Sequence, residues 1–224
     1  MASWNYVVLC SVLVVVLGIG TNVSASPDPY ADAVAAFNPQ TGDGKATDPR
    51  FQNPASALGA PDYDLNTMLG AVSLGKGGSI TLALTDNALT GSGDSTVDLW
   101  IYEVGPDIED TYVWISKDGT FPPLYPDAGW DDTTAGYIGA VAGSTSSIDI
   151  DAFGWGPGDY FTHVRLMDDP LQDTVSTGPF TGADIDAIEC LSSVEIPEPL
   201  TMVSVLTGLA LVGNHVRRRR RHVA

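Results

Sequence analysis

Residues 79–84 read Ser-Ile-Thr-Leu-Ala-Leu, polar and apolar in alternation, and this period of two recurs through the middle of the chain. Val97, Leu99 and Ile101 share one face of an extended segment whose other face carries Asp98, Trp100 and Tyr102. Val113 and Ile115 alternate with Tyr112 and Trp114, and Lys117-Asp118-Gly119-Thr120 follows as an Asp-Gly hairpin signal. Further runs cover 147–151, 160–167 and 183–190. Successive side chains of a strand point to opposite faces, so such runs each bury one face and wet the other. No stretch carries a capped stripe at the helical period of 3.6, and no internal repeat of fixed length is present. Short strands separated by Gly, Pro, Asn and Asp predict an all-β fold, an antiparallel β-sandwich of the jelly-roll kind.

The two ends differ from this middle. Residues 1–25 hold no charged side chain, and 7–20 (VVLCSVLVVVLGIG) are apolar. Val23 and Ala25 then occupy the −3 and −1 places of a small-residue cleavage site, which predicts a signal peptide over 1–25, export through the Sec machinery, and a new N-terminus at Ser26. MASWNY lacks the usual Lys or Arg, and an uncleaved anchor is the competing reading, but the apolar stretch is short for a span. At the other end Pro197-Glu198-Pro199 leads into an apolar segment, 200–216, closed by Arg217, Arg218, Arg219, Arg220 and Arg221. Seventeen helical residues reach about 25 Å at 1.5 Å per residue, the short end of a transmembrane helix. Arginines beside such a helix stay cytoplasmic, which places the preceding domain outside the inner membrane.

What remains, residues 26–196, is the size of one domain. It holds 27 Asp and Glu against five Lys and Arg, a balance of −22. Nucleic acid is excluded as a partner, because phosphate binding needs a basic footprint. A field of this sign concentrates cations, and Asp is common in calcium loops; the plain alternative is a solvated surface. With Cys10 in the leader, the mature chain keeps only Cys190, in an apolar-alternating stretch that predicts a buried free thiol.

Asp184 and Asp186 are two apart in a strand and share a face. If the strand ending at Asp168 pairs with theirs, Asp168 and Asp184 meet at one sheet end, where a hard cation with oxygen ligands would relieve their repulsion. Asp94, Asp98 and Glu103 are candidates to complete the shell of a structural Ca2+. The alternative is an acidic edge that discourages sheet-to-sheet pairing. The polar, proline-punctuated loop 38–56 is long enough to need a pin, and a metal is one candidate. Trp130 and Trp155 sit in Gly- and Asp-rich loops, where each could be a sugar platform or a plug closing the core; Trp100 and Trp114, within strands, read as sheet packing. His163 has no nucleophile motif beside it, and neither Gly-x-Ser-x-Gly, a zinc motif nor a phosphate loop is present.

The ordered Pro-Glu-Pro triplet, apolar helix and arginine cluster of 197–221 resemble the PEP-CTERM sorting signal. That resemblance implies recognition by exosortase, a membrane protease, a transient inner-membrane anchor, and delivery to the cell surface or an exopolysaccharide matrix. A permanent single-span anchor is the other reading. The same segment also carries an ice-binding-protein C-terminal label, which describes the tail and not an activity. Between the ends, Ala57-Leu58-Gly59-Ala60-Pro61, Ser73 to Gly78, Asp98 to Gly105, Trp114 to Gly119, Val164 to Asp168 and Gly182 to Ala187 follow in an order similar to galactose-binding-like (discoidin-like) bacterial surface domains. Such domains keep acids at the positions matching Asp98, Glu103, Asp168, Asp184 and Asp186, and they imply a non-catalytic module. The expectation is therefore an exported, carbohydrate- or exopolysaccharide-associated surface protein. A structural coat without a small ligand and a carboxylate-based glycoside hydrolase are the alternatives.

Overall fold

The computed structural model describes residues 28–105, 109–123, 135–142, 146–171 and 178–196. The expected signal peptide, the sorting segment 197–221 and Trp130 lie outside the described residues. Eleven strands form among the described residues: β1 (Ala33–Asn38), β2 (Val72–Ser73), β3 (Ser79–Ala83), β4 (Asn87–Leu89), β5 (Leu99–Glu103), β6 (Asp110–Ser116), β7 (Tyr137–Ala142), β8 (Ser146–Ile148), β9 (His163–Asp168), β10 (Asp184–Cys190) and β11 (Ser193–Glu195). Helix among the described residues is limited to 3-10 turns at Pro49–Phe51, Pro54–Ala57 and Ile150–Phe153, none long and apolar enough to cross a membrane.

The strands make a five-stranded sheet ordered β1-β3-β9-β6-β7, a four-stranded sheet ordered β2-β10-β5-β8, and a small β11-β4 pair. Each of these ladders is antiparallel, so the all-β antiparallel expectation holds. The alternating runs explain the core. Ile80, Leu82, Val113, Ile115, Val164 and Leu166 of the five-stranded sheet join Leu99, Ile101, Ile185 and Ile188 of the four-stranded sheet in one buried cluster. Cys190 lies in the same cluster as a free thiol, as expected.

Strand β10 breaks the period of two. Ile185 stands opposite Glu103 but Ala187 stands opposite Tyr102, so Asp186 is an extra residue, a β-bulge. The bulge moves the core-facing positions from Ile185 to Ile188 and Cys190, which is why this strand reads Ile-x-x-Ile-x-Cys.

One expectation changes, and the long loop finds its pins. Asp118 and Gly119 do turn the chain, with Gly119 at φ +78° and Asp118 Oδ1 accepting from Thr120 N at 2.9 Å. The partner of β6 on that side, β7, begins only at Tyr137, so the turn is not a two-residue hairpin. Loop 38–56 is pinned by main-chain hydrogen bonds: Gln40 N to Leu74 O, Lys76 N to Gly44 O and Thr47 N to Gly178 O, at 2.8–2.9 Å.

Candidate functional site

Strand β5 carries a buried acid at each end, and the two ends are different environments. Asp98, just before the strand, is fully buried. Its Oδ1 accepts from Ser92 N at 2.8 Å and its Oδ2 from Ile150 N at 2.9 Å. The run 147–151, expected as strand throughout, leaves the sheet after Ile148 because Asp149 caps a 3-10 turn, its Oδ1 accepting from Asp151 N at 3.0 Å. Asp151 Oδ2 in turn accepts from Gly93 N at 3.0 Å. A side chain at Gly91 would strike the Trp155 carbonyl and this same Asp151 oxygen, so glycine lets the 91–93 loop press onto the acids. One carboxylate oxygen each from Asp98, Asp149 and Asp151 lie within 4.8 Å of one another, the only such trio of metal-ligating groups among the described residues. Asp94 is beside them, accepting from Thr96 N at 2.8 Å; hydrogen bonds from the Thr96 side chain and main chain hold its carboxyl below the usual range.

The other expected acids lie at the far end. With β5 five residues long at about 3.3 Å each, Glu103 stands about 16 Å from Asp98. Asp94 and Asp98 therefore cannot share one shell with Glu103, Asp168, Asp184 and Asp186. Nor do the strands of Asp168 and Asp184 pair: β9 runs in the five-stranded sheet between β3 and β6, and β10 in the four-stranded one. The two acids are linked instead through the loop, Asp168 Oδ1 accepting from Ala183 N at 2.7 Å and its Oδ2 from Gly77 N at 2.9 Å. Asp184 accepts from the Ser73 hydroxyl. Asp186, on the bulge, accepts from Asp62 N at 3.0 Å and Tyr63 N at 3.4 Å, tying the 58–64 segment to the sheet.

Burial dominates the electrostatics at this end. Glu103 has one long contact, Thr111 Oγ1 at 3.5 Å, and burial, with the charges of Glu109, Asp184 and Asp168, pushes it up to about 9. Burial likewise raises Asp184 to about 7 and Asp168 to about 6, and raises Asp186. Burial thus favours the protonated carboxyls at this end, and main-chain donors hold Asp168 and Asp186.

The aromatic residues also redistribute. Trp155 is half-buried against the core, edge-on to Phe161 at 5.2 Å with Lys117 Nζ 5.9 Å from its ring centre, the arrangement of a core plug. Trp114 is buried among Tyr112 and Tyr137. Trp100 departs from expectation: it is 36% exposed, on the outward face of the four-stranded sheet. The Tyr102 ring lies 5.9 Å from it on the same face. Tyr102 Oη donates to Glu189 Oε2 at 2.5 Å, which helps push the phenol up to about 12, and Glu189 stands directly opposite Trp100 in the ladder. An indole, a phenol and a carboxylate thus line one open surface. The sequence signal was there, since Trp100 and Tyr102 share a parity with Asp98, opposite to the core residues Leu99 and Ile101.

No protein-family model, curated protein or solved structure matches the chain.

Proposed function

We propose that this chain is an exported surface protein whose β-sandwich domain binds neutral glycan of an extracellular matrix without turning it over. The Trp100–Tyr102–Glu189 surface carries the reading. Aromatic faces pack on the C–H faces of a sugar, while a carboxylate and phenol beside them accept and donate to its hydroxyls. The balance of −22 over residues 26–196 repels anionic polymers, which restricts the ligand to uncharged or basic sugars. One core shared by two antiparallel sheets supports the sandwich, of jelly-roll type, and the surface-domain resemblance with it. Cleavage after Ala25, exosortase recognition of Pro197-Glu198-Pro199 with Arg217 to Arg221, and passage through the inner membrane to the surface are the sequence-based part of the same reading.

The test is retention of the protein on neutral exopolysaccharide in affinity electrophoresis. Trp100→Ala should abolish the retardation and Trp155→Phe should leave it. Equal retardation of wild type and Trp100→Ala, or none for wild type, favours the structural coat without a small ligand.

Calcium enters this reading as a structural ion at Asp98, Asp149 and Asp151. Three convergent carboxylate oxygens support it, since calcium takes oxygen ligands in flexible geometry.

A further inference from the structure

The four-stranded sheet takes its edge beside β10 from two segments. Strand β2 lies opposite Asp184 and Ile185, and further along the same edge Tyr30 bridges Glu189 in antiparallel register. The residues around Tyr30 are fixed by main-chain hydrogen bonds: Cys190 N to Pro29 O at 2.7 Å, Gly59 N to Ala31 O at 3.0 Å and Asp32 N to Ala83 O at 2.9 Å. Tyr30 N itself donates to Asp28 Oδ1 at 3.0 Å.

Residues directly opposite one another in a ladder point to the same face. Glu189 stands opposite Trp100, and Trp100 opposite Ser147, so Tyr30, Glu189, Trp100 and Ser147 form one row across the outward face. Trp100 and Ser147 are exposed, while Tyr30 and Glu189 are half-buried. Tyr102 Oη holds Glu189 Oε2, which fixes the carboxylate between the two flanking rings. Burial, and then the charge of Glu189, raise the Tyr30 phenol. Neighbouring strands lie about 4.8 Å apart, which separates Tyr30 from Trp100 by about 10 Å with the acid midway. Along the strands the open surface is short. Asp62 N and Tyr63 N close over β10 at Asp186, and Ala187, opposite Tyr102, is fully buried. A long ligand therefore fits across the strands and not along them.

Resting on the glycan reading above, we infer that Tyr30 is a second aromatic platform, and that the ligand is an extended, equatorially linked neutral polysaccharide lying across the strands. Rings seated on Trp100 and Tyr30 leave room for one ring between them, whose hydroxyls meet Glu189. In a chain of equatorial linkages alternate rings offer the same face in the same direction, so both platforms are used at once. A chain of axial linkages coils and turns its rings away from a straight row. Once one ring is seated, the second contact is intramolecular, so the two platforms reinforce each other. The central carboxylate and the domain's balance of −22 disfavour an acidic chain in the same place.

The experiment is affinity electrophoresis of the full chain in detergent, through gels holding hydroxyethyl cellulose, whose linkages are equatorial, or glycogen, whose linkages are axial. Wild type should be retarded by the first and not by the second. Tyr30→Leu keeps apolar bulk without a flat face and should weaken binding by about tenfold. Tyr30→Trp should strengthen it. If the melting curve shows that Tyr30→Leu fails to fold, Tyr30→Trp decides, and no gain there counts against the second platform. Tyr30→Leu retarded like wild type, with Trp100→Ala not retarded, would keep the glycan reading and overturn this inference. Equal retardation of wild type in glycogen would likewise overturn the extended chain alone, whereas no retardation in either gel would remove both readings.

Discussion

Asp98 and Glu103 close opposite ends of strand β5 and are held in opposite ways. Each oxygen of Asp98 accepts one main-chain N–H, from Ser92 and from Ile150, whereas Glu103 is buried with a single 3.5 Å contact to Thr111. The first acid joins three segments, since its main-chain oxygen also accepts from Leu191 N at 2.8 Å. The second is kept neutral at physiological pH by its surroundings.

Asp98→Ala should therefore destabilise strongly. It strands two main-chain donors in the interior, which costs about 3–5 kcal/mol in total. Asp98→Asn keeps one acceptor and should cost less. Urea denaturation followed by tryptophan fluorescence measures both, and an alanine effect below about 1 kcal/mol would contradict the hub role.

The far end predicts a pH dependence. Burial raises Glu103 to about 9, Asp184 to about 7 and Asp168 to about 6. A carboxyl raised in the folded chain keeps its proton where the unfolded chain has lost it, so stability falls as pH rises. The contribution is fully present below the ordinary carboxyl pKa near 4 and is lost progressively up to each folded value. Melting temperature should decline from about pH 5 to about pH 9, and Glu103→Gln should flatten the segment from about 7 to 9, where Glu103 alone is still titrating. A curve rising across this range would contradict the assignment.

These residues also mark what the sequence could and could not reveal. Period-two reading put Leu99 and Ile101 on one face and Trp100 and Tyr102 on the other, because alternation is local. It also put Asp184 and Asp186 on a common face; both are buried, and the bulge at Asp186 interrupts the alternation there. Pairing is long-range: nothing near Asp168 says that β9 lies between β3 and β6 while the next strand joins the other sheet. The Asp98 trio was half legible. Asp149 and Asp151 lay in an apparent strand, and the Asx cap that ends it becomes visible only when the 149–151 backbone turns.

Export and sorting give a prediction independent of the fold. Intact-mass analysis of mature protein should show a chain beginning at Ser26. Glu198→Ala, or neutral replacement of Arg217 to Arg221, should leave unprocessed protein in the inner membrane of a strain with active exosortase. Wild type and both variants released alike would leave the permanent-anchor reading.

Calcium at Asp98, Asp149 and Asp151 gives the last prediction. An ion that binds only the folded chain stabilises by RT ln(1 + [L]/Kd), about 2.7 kcal/mol at a hundredfold excess over Kd. For a domain of this size that is roughly 5–10 °C in melting temperature. The discriminating variant is Asp149→Asn. Asparagine caps a turn as well as aspartate does, so the 3-10 turn at Ile150–Phe153 and the stability in chelator should be preserved. The lost charge should instead remove this site's share of the calcium gain. Magnesium serves as the control, since it demands tighter octahedral geometry but screens charge equally well. Thermal melts of wild type and Asp149→Asn in calcium, magnesium and chelator make the measurement. A calcium gain of equal size in both proteins would return Asp149 to a purely capping role and leave Asp98 as a hydrogen-bond hub alone.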